Sequence, residues 1–132
     1  MDGVVKELAE YFEKLETLGD IAVESIKEQV DEETGRAESE IASGTPEGKT
    51  GGLARSLTRA KISTDKRYGY RLEFEGENEK GIPYAKIANI LNHGTSTIKP
   101  RRFITRAVKK LKGLDDRAAQ RFEEKANRKL TE

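Results

Sequence analysis

The chain has 132 residues, enough for one domain, of which 34% are hydrophobic, 6% aromatic and 37% charged. It contains no cysteine, which excludes disulfide frameworks, thiolate metal sites and cysteine nucleophiles. The net charge of +1 points to no polyanionic partner, yet residues 1–48 carry 14 acidic and 4 basic side chains against 10 and 21 in residues 49–132.

Such a separation describes an acidic and a basic surface, able to neutralise each other within one chain or to meet head to tail between chains. The low apolar content describes a thin core. It suits a helix-rich protein with long wet faces, or a subunit that completes its core against copies of itself or a partner. No apolar run approaches the roughly 18 residues that a membrane helix needs. The start, MDGVVKELAE, is acidic and amphipathic, unlike a signal peptide. The expectation is synthesis in a cytoplasm, with no membrane partner.

Residues 3–43 show helical periodicity. Val4, Leu8, Phe12, Leu15, Ala22, Ile26, Val30, Ala37 and Ile41 keep to one stripe, and Asp2 suits the cap. Gly19 and Gly35 each weaken a helix by about 1 kcal/mol, but the stripe stays in phase across both. This predicts one long helix, bent at Gly19; the alternative is two helices broken at Gly19-Asp20. Residues 43–52, SGTPEGKTGG, form a loop that lacks the spacing of a phosphate-binding loop. Thr50 suits the cap of a short helical turn from Gly51 to Leu57. Residues 58–64 and 68–76 read as strands of a hairpin, with Tyr68, Tyr70, Leu72 and Phe74 on the covered face. Either the long helix covers that face or a third strand joins, from around residues 95–99 or from another subunit. Residues 76–82, GENEKGI, read as a mobile charged loop.

The segment Ile82–Lys112 predicts a helix, a polar loop and a second helix. Pro83 and Pro100 suit first turns, and Gly94 suits the stop between them. Tyr84, Ile87, Ala88 and Leu91 form one apolar face; Phe103, Ala107 and Leu111 form the other. The second helix stays in phase through Leu114, Ala118 and Phe122, the alternative being a stop at Gly113 and a restart at Leu114-Asp115. The final ANRKLTE is expected to fray. The whole reads as an α+β single domain. A long N-terminal helix (3–43) packs on a small antiparallel sheet, an α+β core with a short middle helix spans 44–112, and a C-terminal helix extension spans 113–132.

Little in the chain points to catalysis. His93 is the sole histidine, with no second histidine or cysteine for a zinc site, and no recognisable nucleophile–base pattern surrounds Ser56 or Thr95. No catalytic residue, metal site, cofactor or small-molecule substrate is expected. The basic run Lys99, Arg101, Arg102, Arg106, Lys109, Lys110 and Lys112 contains no acid. It suits phosphate contact without base readout, but no aromatic platform is interleaved. A solvated face, or a docking surface for acidic side chains, is the plainer reading.

Three motifs in order carry a family resemblance. They are TGGLARSL, with Thr50, Gly51, Leu53 and Ser56; PYAKIANILNHGTS, with Tyr84, Ala85, Gly94 and Thr95; and KPRRFITRAVKKL, with Pro100, Phe103 and Ala107. Together with the preceding long helix they resemble the head–tail joining, or tail-completion, proteins of long-tailed bacteriophages. The chain departs from that pattern in Asn92-His93, where an acidic residue is frequent, and in the extra Gly52. The resemblance implies an α+β fold and a structural role, without catalysis, in a virion or prophage. It further implies a ring subunit at the head–tail junction or tail. Its partners would then be copies of itself, other junction or tail proteins and, in passing, DNA. The motif residues and the basic run are the interface candidates. The alternative function is a nucleic-acid-binding module using residues 99–112.

Overall fold

A computed structural model describes residues 2–46, 48 and 51–131, with side chains of the first helix described from Lys6 onward. The element order is α1 (Asp2–Gly44), α2 (Gly52–Arg55), β1 (Leu57–Ser63), β2 (Tyr68–Phe74), α3 (Tyr84–His93), α4 (Phe103–Lys109) and α5 (Leu114–Thr131). This is the expected mixed fold, with a long N-terminal helix, a two-stranded antiparallel sheet, short helices and a C-terminal helix. Helix α1 is unbroken through Gly19 and Gly35, so the two-helix alternative fails. The chain divides into two compact units: residues 1–30 with 113–132, and residues 31–112.

The 31–112 unit holds the hydrophobic core. Strands β1 and β2 pair with Leu57 opposite Phe74 and Lys61 opposite Tyr70. Directly paired residues share a face, so Leu57, Leu72 and Phe74 meet the buried Ile41, Leu53, Ala88, Phe103 and Ala107. Farther along the same face the contacts turn polar. Asp31 of α1 accepts hydrogen bonds from the Tyr68 and Tyr70 hydroxyls, each at 2.6 Å. Arg59 pairs with Glu38 at 3.3 Å. The sheet face is therefore covered by α1, and no third strand forms around residues 95–99. The 76–82 segment, expected to be mobile, is a closed turn. Asn78 Oδ1 accepts from the backbone N–H of Lys80 and Ile82, and Glu77 bridges to Pro83.

Two boundaries differ from expectation at the C-terminal end. The phase across Gly113 suggested one helix, but α4 stops at Lys109 and Gly113 takes φ +88°, a conformation that ends helices. The alternative reading holds here, for the chain restarts at Leu114 with Asp115 and Asp116 in the first turn, where carboxylates complement the helix dipole. The last turn, expected to fray, stays helical to Thr131, with Arg128 and Lys129 at the end that favours cations.

In the unit formed by residues 1–30 and 113–132, α5 runs antiparallel to α1. Arg121 donates to Gln29 Oε1 at 2.9 Å and to Glu28 at 3.0 Å, and Lys125 donates to Glu28 at 2.6 Å. The buried residues here are Ser25, Gln29, Ala118 and Ala126. The apolar stripe expected on α1 is thus buried only farther along, at Ala37 and Ile41, while Leu8, Phe12, Leu15 and Ile26 are 47–62% exposed. The helix turns a neighbouring polar face to α5 because ion pairs and hydrogen bonds satisfy that face. Ser25 contributes by donating to the Ile21 carbonyl at 2.7 Å.

These ion pairs set an acid response. Lys125 and then Arg121 hold the Glu28 carboxyl at a pKa of about 2, against its usual 4.5. The folded state binds this proton less readily than the unfolded chain. The contribution of Glu28 is therefore complete above pH 4.5 and drains away as pH falls towards about 2. In an acid titration followed by circular dichroism, Glu28→Gln is expected to remove part of the helix loss in that window. A Glu28→Gln titration superimposable on wild type would contradict the pairing.

Candidate functional site

The segment from α3 to α4 is built around one side chain. Asn92, at the end of α3, is 3% exposed. Its Oδ1 accepts from the N–H groups of Ile104 and Thr105 at 3.0 and 3.1 Å, and its Nδ2 donates to Thr105 Oγ1 at 2.9 Å. The first N–H groups of a helix lack intrahelical partners. Here a neighbouring helix supplies the cap, because the N-cap position itself holds Arg102, which makes no side-chain cap bond. Arg102 adopts the left-handed φ of +53°, the only non-glycine residue to do so among the described residues. It is held by its own N–H on the Asn92 carbonyl, with Arg101 N–H on that of Leu91. The last carbonyls of α3 and the first N–H groups of α4 thus satisfy each other through residues 92 and 101–105. Asn92→Ala is expected to lower stability by about 2 kcal/mol in denaturant unfolding. Asn92→Asp, which keeps the acceptor, should lose clearly less.

The three sequence motifs meet in the 31–112 unit but divide by role. Leu53, Phe103 and Ala107 are buried in the core, and Tyr84 packs half-buried against it. Ser56 is buried at the end of α2, donating to the Leu53 carbonyl at 2.6 Å. Gly51 takes φ +66° as the N-cap of α2, the place expected for Thr50, so the helical turn runs from Gly52 to Arg55 instead of from Gly51 to Leu57. Thr50 lies outside the described residues. Gly94 ends α3 at φ +77°, ψ 179°, extended beyond the left-handed helical region expected for it. Pro100 lies three residues before α4 instead of in its first turn. Thr95 is exposed and closes the 95–98 turn, its Oγ1 accepting from the N–H of Ile98 at 3.0 Å. Ala85 is exposed on α3.

Beside these motifs lies a groove of about 460 Å³, with Leu53, Tyr84, Ile87 and Leu91 as its apolar wall and Arg55, Asn78 and Glu79 at its polar edge. Its composition suits an apolar side chain of a protein partner with polar contacts around it. The basic residues Lys99, Arg101, Arg102, Arg106, Lys109, Lys110 and Lys112 are all exposed. Of these, Lys110 pairs with Glu40 of α1 at 2.7 Å, so docking on an acidic side chain is realised there within the unit. His93 is exposed at the end of α3. No cluster of metal-ligating side chains occurs among the described residues. No helix among them is long and apolar enough to cross a membrane.

The polar end of the sheet was not anticipated. The hydroxyl of Tyr68, and next that of Tyr70, lower the Asp31 pKa by stabilising its carboxylate, and Asp31 in turn raises that of Tyr68. Arg59 lies 4.8 Å over the Tyr70 ring and Lys61 5.4 Å over that of Tyr68. The alternating Tyr68-Gly69-Tyr70 signals the strand, but nothing local to it signals a carboxylate 37 residues earlier. No protein-family model, curated protein or solved structure matches the chain.

Proposed function

We propose that the chain is a non-enzymatic assembly protein of a tailed phage or prophage, acting in head–tail joining or tail completion as a subunit of a ring. One observation carries the reading. Motif residues separated by fifty positions, Leu53, Tyr84, Phe103 and Ala107, share one core, as a family framework would require. Two features support it. A groove with apolar walls stands open beside that core, and an exposed basic run lies on the same unit while the acidic residues concentrate in the first third of the chain. An acidic and a basic surface that meet head to tail between copies make heterologous contacts, and such contacts form a ring when the rotation closes.

The test is genetic. Deleting the gene from the phage or prophage genome that carries it should leave DNA-filled heads and tails unjoined in the lysate, as seen by electron microscopy. Intact infectious particles from the deletion would overturn the reading.

The exposure of the basic run favours a second reading, contact with nucleic acid through phosphates. Titration of duplex DNA at two salt concentrations separates the two. Tight binding with a steep salt dependence supports phosphate contact, and no binding at low salt removes it.

A further inference from the structure

We propose that the N-terminal half of α1 is a self-association seam that pairs antiparallel with the same segment of a second copy of this chain. The contact buries an apolar stripe that the isolated chain leaves open.

Leu8, Tyr11, Phe12, Leu15, Val23 and Ile26 are each 47–62% exposed. Together they present on the order of 600 Å² of apolar surface. That is the upper end of what a monomer leaves open, and it approaches the roughly 800 Å² per partner of a stable interface. The stripe does not face α5. At 100° per residue it lies about a quarter-turn from Ser25 and Gln29, the side on which Arg121 reaches α1. A helix pair that carries an open apolar face at that angle to its own contact has the geometry of half a four-helix bundle.

The spacing identifies the occupant. Leu8, Phe12, Leu15, Gly19, Ala22 and Ile26 alternate by four and three, the repeat of a helix–helix seam. In an antiparallel pair centred between Leu15 and Gly19, Leu8 meets Ile26 of the partner subunit, Phe12 meets the partner subunit's Ala22, and Leu15 meets the partner subunit's Gly19. Each of the two inner layers sets a large side chain against a small one, which fills space evenly. A parallel pair would set Phe12 on Phe12 and leave a hole at Gly19. The space over Gly19 is open, with nothing beyond the adjoining helix backbone within 4 Å of where a Cβ would stand. The basic helix α4 of another copy is a poorer occupant. Its 7 residues span about 10 Å against about 27 Å for the stripe.

One ionised residue, Glu16, flanks the seam, and the two-fold axis brings it near its own copy. Glu16→Gln is therefore expected to tighten the dimer about two-fold, whereas docking on a basic surface would be weakened by it. The inference stands apart from the head–tail reading, because an assembly protein and an unrelated one would pair through this seam alike.

Sedimentation equilibrium tests it. The wild-type chain is expected to dimerise. Phe12→Glu with Ile26→Glu should weaken association at least 100-fold while keeping the wild-type helical signal, since both side chains are exposed in the single chain. A wild-type chain that stays monomeric at millimolar concentration overturns the proposal. So does a dimer that the double variant leaves intact, or one that Glu16→Gln weakens. Because the chain has no cysteine of its own, Leu8→Cys and Ile26→Cys give clean crosslinking with a short bis-maleimide. The mixture of the two should crosslink, and each alone should not. Efficient crosslinking of each alone would establish a parallel pair and overturn the arrangement.

Discussion

Phe103→Ala is expected to lower the stability of the 31–112 unit by about 3–5 kcal/mol, the usual range for truncating a buried phenylalanine. Phe103 is 1% exposed and opens α4. Its ring meets Phe74 of β2 edge to face at 6.5 Å, and the same cluster contains Ile41 of α1, Leu53 of α2 and Ala88 of α3. One side chain thus ties four helices and the sheet, and relaxation around the cavity would have to move several elements together. Gly44 shows how closely the site is packed, for a Cβ there would stand 2.9 Å from Phe103 Cβ. Denaturant unfolding followed by circular dichroism measures the loss. An unfolding midpoint within error of wild type would show that Phe103 does not organise this core.

Gly94→Ala is expected to be of comparable severity, about 3 kcal/mol or more, for a different reason. At φ +77° and ψ 179° the backbone occupies a region that side-chain-bearing residues avoid, at roughly 1–3 kcal/mol of strain. In addition, an added Cβ would meet Ile98 O at 2.7 Å, Pro100 N at 2.7 Å and Pro100 Cδ at 2.8 Å. These are backbone and ring atoms that cannot rotate away, and overpacking of this kind adds roughly 1–3 kcal/mol. Relief requires residues 95–102 to shift, which would pull Arg101 and Arg102 from the carbonyls of Leu91 and Asn92. The loss of stability should therefore be accompanied by reduced amide protection at the start of α4. A variant that folds with wild-type stability and an unchanged α4 would refute this account.

Signals that act over a few residues were legible in the sequence. The periodicity of α1, the alternation in β2 and the stop at Gly94 all predicted elements that form. What was not legible depends on distant partners. Asn92 caps a helix whose own N-cap position is occupied by Arg102, so the usual local signature of a helix start is missing there. Gly113 breaks a pattern whose phase carries straight across it, because apolar phase records which face is covered and not whether the backbone continues. The stripe of α1 keeps one phase along the helix, yet it is fully buried only at Ala37 and Ile41, and α5 bonds to Glu28 and Gln29 instead. Of the interface candidates, Leu53, Phe103 and Ala107 lie inside the core. They matter to a partner only through the surfaces they hold in place.

The buried side chains are unevenly distributed along α1, and this divides the helix kinetically although its hydrogen-bond ladder is unbroken. Residues 31–44 end in the core with Ile41, while residues 6–30 bury only Ser25 and Gln29 and rely on ion pairs to α5. Amide hydrogen exchange follows the opening free energy of each cooperative segment. The distal half of α1 should exchange slowly, in step with the sheet, and the proximal half quickly, in step with α5. Pairing through the seam would slow that faster half as protein concentration rises, leaving the distal half unchanged.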